Sequence, residues 1–210
     1  KIPMKNALIF FGIILLFGCA IGNQYDYRET PMTLPLRSEG NKPLVLSVVD
    51  LRPYVLNGDK KPNFVGLQRG GFGNPFNVTT ASGNPMTDDM SDALASGLTR
   101  SGYQVVRAAG LAESKALAAL AAEKGAARIA LIKVNDWKSD IYMKNTLHCD
   151  MVLQVLDNHG AILAENSVKF VEAIGGAQLN PGRNAKEAAE EFAKQMGYLF
   201  NAPQIRSALQ

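Results

Sequence analysis

Residue types that carry much site chemistry are scarce in this chain: its 210 residues include two cysteines, two histidines and one tryptophan. Two cysteines exclude the disulfide framework that staples many small secreted domains. His148 and His159 fall short of the three or four ligands that a zinc site draws together. Charge of one sign is lacking too. The 22 Lys and Arg stand against 19 Asp and Glu, a net +3, too little for the basic face that follows a phosphate backbone. No Gly-x-Ser-x-Gly elbow, zincin helix or phosphate-loop Lys-Ser/Thr occurs, which removes common hydrolase and nucleotide-binding signatures. No apolar run reaches the roughly 20 residues that a bilayer-spanning helix needs.

The apolar run Ala7 to Phe17 has a different meaning. It follows Lys1 and Lys5, the only charges before Cys19, and a short basic start with a short apolar core marks a secretory signal. Leu16-Phe17-Gly18-Cys19 resembles the lipobox of bacterial lipoproteins, with a small residue directly before the cysteine. The resemblance implies a signal peptide over 1–18, diacylglycerol joined to Cys19 by a thioether, and cleavage before that cysteine. Long acyl chains such as palmitate contribute about 0.8 kcal/mol per buried methylene, so two or three hold a protein at a membrane. Ala20 resembles the outer-membrane default of lipoprotein sorting, which implies the periplasmic face of the outer membrane. Losing 1–18 removes two basic residues and no acidic one, leaving 20 against 19. The sequence pI of 8.8 therefore overstates the basicity of the mature chain.

Residues 19–43 read as the lipidated cysteine and a flexible tether, broken by Pro31, Pro35 and Pro43 and without a sustained apolar period. One domain over 44–210 follows. Leu44–Leu51 is nearly continuous in apolar residues, as in a central strand. A Gly-, Asn- and Pro-rich loop over 54–83 follows, with short strands near Phe64–Leu67 and Phe76–Thr80. Asn84-Pro85 opens a helix as cap and first residue. Met86, Met90, Leu94 and Leu98 recur along it as one buried stripe, and Gly102 ends it. Tyr103–Val106 reads as a strand and Leu111–Lys124 as a second helix, with Leu117, Leu120 and Ala121 inward. Arg128–Val134 is a strand that extends toward Trp137. Pieces near 139–143, 146–157 and 161–173 form a meander, with a turn at Asp157-Asn158-His159-Gly160. The last long helix spans Ala185–Phe200, with Ala188, Ala189, Phe192, Met196, Leu199 and Phe200 on one face, and Ile205–Leu209 adds a turn. This order predicts an α+β fold: a mixed, largely antiparallel sheet with about three helices packed on one face.

Val49-Asp50-Leu51-Arg52, a Val65-Gly66 loop, and Asp92-Ala93-Leu94…Leu98…Gly102-Tyr103-Gln104-Val105 together resemble the YajG-type group of outer-membrane lipoproteins. The resemblance covers most of 44–200 in element order. It implies location and fold and brings no catalytic residues with it.

Candidate sites are few. His148, Cys149 and Asp150 lie on one strand, where neighbours point to opposite faces, so His148 and Cys149 cannot meet on one ion. Cys149 shares its face with Leu147, Met151, Leu153 and Val155, as a buried thiol does. Tyr54, Trp137 and Tyr142 read as core or sheet-face residues. Arg69-Gly70-Gly71-Phe72-Gly73-Asn74-Pro75-Phe76 is a loop in which Arg69, Phe72 and Phe76 are residue types enriched at interfaces. The expectation is a non-enzymatic, lipid-anchored envelope protein that binds or scaffolds another envelope protein or its own copies. It needs no metal, cofactor or nucleic acid. The alternative is an accessory lipoprotein of a transport or secretion machine, contacting lipid or substrate through an apolar crevice between helices and sheet.

Overall fold

The computed structural model describes residues 23–39, 41–176 and 181–210. The predicted signal peptide and Cys19 lie outside these residues.

One eight-stranded sheet organises the molecule. Its spine is a meander of three long strands, β6 (Arg128–Ile141), β7 (Lys144–Asp157) and β8 (Ile162–Gly176). On its other side β6 serves two branches in succession. Its first half pairs in parallel with β2 (Pro43–Asp50), from Leu44–Arg128 to Asp50–Val134, and β5 (Gln104–Arg107) lies in parallel beyond β2. Its second half pairs in parallel with β3 (Phe64–Arg69), at Gly66–Ser139 to Gln68–Ile141. The hairpin strand β4 (Pro75–Thr80) and then β1 (Gln24–Tyr25) complete that branch. Four of the seven pairings are parallel. The sheet is mixed, and the expectation of a largely antiparallel one is corrected.

The helices, five among the described residues, are α1 (Pro53–Leu56), α2 (Met86–Arg100), α3 (Ser114–Lys124), α4 (Pro181–Asn201) and α5 (Pro203–Leu209). They cover both faces of the sheet rather than one. The reason is topological. Helix α2 brings the chain from β4, on the other branch, over one face of β2 to β5, and α3 then carries it back across β2 to β6. The β5–α3–β6 unit is a parallel crossover, whose hand fixes the face that α3 covers, and α2 packs on the other. Leu44, Leu46 and Val48 accordingly face the main core with α2, while Val45 and Val49 face a second core with Leu117 and Ala121 of α3. A strand buried on both faces has to be apolar throughout, as Leu44–Val49 nearly is.

The main core continues under α4 and α5. Ala188, Phe192, Met196, Leu199 and Phe200 of α4 join Leu147, Cys149, Met151, Leu153 and Val155 of β7. Along β7 these alternate with Thr146, His148, Asp150 and Val152 on the outer face. Burial at period two on one side and 3.6 on the other is how a helix covers a sheet.

The expected tether is instead part of the domain from Gln24 onward. Strand β1 pairs with β4, and Tyr25, Tyr27, Met32 and Leu34 are buried in the main core. The ring of Tyr27 meets Trp137 at 6.2 Å and Phe192 at 5.7 Å, both edge to face, a favoured aromatic geometry. Trp137 Nε1–H donates to the Tyr27 hydroxyl at 2.9 Å, and Ser139 Oγ donates to the Tyr25 hydroxyl at 3.1 Å. Burial pushes the Tyr25 hydroxyl up to about 12, so it stays protonated. Gly97 makes room on α2: a Cβ there would lie 2.7 Å from Met32 Cγ.

The Asp50-Leu51-Arg52 segment is a structural knot. Arg52 is fully buried. Its Nε and Nη2 donate to the two Asp50 carboxylate oxygens at 2.8 and 2.6 Å. Nη1 donates to the Phe64 and Trp137 carbonyls, and Nη2 also to that of Pro62. Burial opposes the guanidinium charge, but the Asp50 pairing outweighs it and keeps the group charged. A planar fork with five donors suits such a junction, and here it ties β2, β3 and β6 together.

Candidate functional site

At one end of the molecule two hairpins leave the sheet side by side. The β3–β4 hairpin closes with the Arg69–Pro75 pair. The Gly70 N–H donates to the Asn74 carbonyl at 2.9 Å, and the Gly73 N–H donates to that of Gly70 at 2.8 Å. Gly73 has φ +80°, the left-handed geometry that a three-residue hairpin loop requires and glycine adopts without strain. This turn lifts Phe72 clear of the surface, 99% exposed, while Phe76 behind it is 40% exposed. The β6–β7 hairpin closes with the Ile141–Asn145 pair, leaving Tyr142 and Met143 at its tip, 53% and 79% exposed. Because β3 and β6 run in parallel and stay paired to Gln68–Ile141, both tips project the same way.

The two hairpins are locked together. Arg69 Nε and Nη2 donate to Asp140 Oδ1 and Oδ2 at 2.8 and 2.7 Å. These hydrogen bonds hold the Asp140 carboxyl below the ordinary carboxylate range, as a bidentate guanidinium does. Gly66 permits the close approach of the strands: a Cβ there would run into the Ser139 hydroxyl and lie 2.6 Å from its carbonyl oxygen. An open depression of about 440 Å³ lies along the β6–β7 hairpin beside Arg69, lined by Arg69, Asp140, Tyr142, Met143, Lys144, Thr146 and His148.

The sequence-expected residues are thus dispersed in role. Phe72 is fully available for contact and Phe76 partly so. Arg69 is engaged within the chain by Asp140, so its charge holds two hairpins together and is not left for a partner. Tyr142, expected in the core or on the sheet face, stands at a tip. Tyr142 and Met143 were missed as contact residues because the chain reads as two extended pieces there, and only strand pairing turns the junction into a tip beside Phe72. Trp137 is in the core as expected. Val65-Gly66 lies within β3, the short strand expected near Phe64–Leu67 inside the long loop.

The outer face of the meander is polar. The Tyr54 hydroxyl donates to Asp136 Oδ1 at 2.9 Å, while Lys138 Nζ and His148 Nδ1 lie 3.7 and 3.9 Å from Asp136 Oδ2. Asp150 accepts from Asn135 at 3.1 Å and from Lys169 at 2.6 Å, and the Lys169 hydrogen bond holds its carboxyl below the ordinary carboxylate range. Asp136 and Asp150 thus each have a cation beside them, as on a solvated sheet surface. Cys149 points the other way, into the core. Burial pushes its thiol up to about 12, with the negative charge of Asp150 adding to this, so it is neither a nucleophile nor a thiolate ligand at neutral pH. Among the described residues no three His, Cys, Asp or Glu side chains are grouped to hold a metal ion, and no helix is long and apolar enough to cross a membrane.

No family model and no curated protein matches the sequence. Solved structures do match. A Xanthomonas campestris protein of the DUF330 family superimposes with a TM-score of 0.51 at 13% identity, over 84% of this chain and 94% of that one. A PelC dodecamer from Paraburkholderia phytofirmans gives 0.46 at 15% identity, over 79% and 91%. A lipoprotein from Neisseria meningitidis gives 0.43 at 12% identity, over 75% and 99%. The first shares the fold. At such identity a shared fold carries no activity with it.

Proposed function

We propose that this chain is a lipid-anchored cell-envelope protein that works by binding or scaffolding rather than by catalysis. Cys19 bears the lipid and the domain stands on the periplasmic face of the outer membrane. The observation that carries the reading is the hairpin end: Phe72, Tyr142 and Met143 stand exposed on two hairpins braced by Arg69–Asp140. Rigid, exposed aromatic and Met side chains are what contact surfaces use. The lipobox-like Leu16-Phe17-Gly18-Cys19 supports the anchor. The alternative, an accessory of a transport or secretion machine, has no helix–sheet crevice to use where Tyr27, Trp137 and Phe192 fill that space. For such a role too, the hairpin end is the surface on offer.

Intact mass spectrometry of the protein from native membranes tests the anchor, with a Cys19→Ala variant beside it. A mass equal to residues 19–210 plus acyl groups, lost in the variant, is the expected result. An unacylated mature chain free in the periplasm overturns the reading.

A further inference from the structure

The direction of β1 decides which end of the domain faces the lipid, and we infer that Phe72, Tyr142 and Met143 enter the surface of the bilayer that holds the Cys19 lipid. This rests on the lipid-anchor reading above. Strand β1 runs parallel to β4, with Gln24 opposite Thr79. Strand β4 begins at the hairpin tip, at Pro75, and runs away from it to Thr80. The chain therefore enters β1 from the side of the tips, and the Asn23 carbonyl already accepts from the Thr79 N–H at 3.1 Å.

The lengths then fix the standoff. Cys19 precedes Asn23 by four residues, a reach of at most about 14 Å. From Thr79 back to Pro75 is also four residues of strand, about 13 Å, and the loop bearing Phe72 extends further. A cysteine fixed in a bilayer by so short a leader cannot hold the hairpin end away from the lipid while β1 points at it. A tether running to residue 43 would have allowed that; burial of Tyr25 and Tyr27 removes the slack.

The side chains suit the position. Aromatic residues gather at membrane–water boundaries, and Tyr places its hydroxyl among the headgroups. Lys144, exposed beside Met143, can extend its amine to phosphate oxygens. Ile162 and Leu163 are also exposed, but at the opposite end of β8 from Gly176, which pairs with Lys144. They provide a control of equal character on the side facing away.

The test uses the full lipidated chain on vesicles of phosphatidylglycerol and brominated phosphatidylcholine. Phe72→Trp and Ile162→Trp are compared with the parent, whose single Trp137 is fully buried. Emission from Phe72→Trp falls at least twofold more than that of the parent, and emission from Ile162→Trp follows the parent. Chains that float with the vesicles while Phe72→Trp stays unquenched overturn the inference. So does a Phe72→Trp blue shift that grows with protein concentration and ignores brominated lipid, which assigns the tips to a second copy. The same variants in a Cys19→Ala chain separate the two readings. Equal flotation without Cys19 sinks the lipid anchor, while Phe72→Trp quenching still decides the tips.

Discussion

At Trp137 and at Phe72 aromatic rings meet opposite surroundings. Trp137 lies on β6 under Phe192 and Tyr27, with its N–H satisfied by a tyrosine hydroxyl and no exposed surface. Phe72 lies about as far along the neighbouring branch as the chain goes, and almost its whole surface is open. The hairpin end and the core share the same strands, so the sheet itself delivers apolar side chains to a surface. Stability is concentrated in the first region and contact in the second, and variants of the two should behave as separate kinds.

The sharpest test of that division is Trp137→Ala. It empties a large volume at the junction of β1, β6 and α4 and leaves the Tyr27 hydroxyl without its donor. Loss of about 3–5 kcal/mol is expected, read by urea denaturation, and an effect under 1 kcal/mol would deny that this cluster holds the N-terminal segment. Gly66→Ala comes next. The added methyl meets the backbone of Ser139, so the branches must part, at a cost of about 1–3 kcal/mol. Amide exchange should quicken in β3 and β4 well before β7, and uniform exchange across the sheet would contradict the branched arrangement.

Acid gives a milder way to loosen the brace. Asp140 is held below the ordinary carboxyl value of 3.8 by Arg69. A carboxylate with a depressed folded value stabilises the fold fully above its unfolded value, and the gain is lost as pH falls through the folded one. Hairpin-end exchange should therefore rise below pH 3.8 in the parent. The rise should be absent in Asp140→Asn, whose exchange is fast at every pH; a parent-like profile in that variant would place the titration elsewhere. The smallest stability effect belongs to Phe72→Ser, within about 0.5 kcal/mol of the parent by the same denaturation. Its mark should appear in vesicle binding alone, and a large stability loss would mean that the tip is packed.

Much of the framework was legible in the sequence because it repeats locally. The Met86–Met90–Leu94–Leu98 stripe, the alternation through Cys149 and the Phe192 face of α4 each announce one buried side at a fixed period, and each is buried as read. Residues 24–34 alternate only in two brief pairs, Tyr25/Tyr27 and Met32/Leu34, too short to mark an element. Tyr25, Tyr27, Met32 and Leu34 are held by partners far along the chain, Trp137 above all, and no local spacing signals that. Arg69 likewise looked available because its partner, Asp140, becomes its neighbour only when β3 pairs with β6. The helix faces went unread for the same reason, since a crossover's side depends on which strand lies next to which.

By itself the sequence determined the composition of each element and the side it buries, because apolar periodicity is a property of a few adjacent residues. It also placed an apolar leader and a cysteine ahead of the domain. Only the tertiary structure decided the mixed sheet with helices on both faces, the start of the first strand only a few residues after Cys19 in sequence, and the placing of Phe72, Tyr142 and Met143 at one end. Those are products of strand pairing between distant segments, where the free energy lies in contacts that no local window contains.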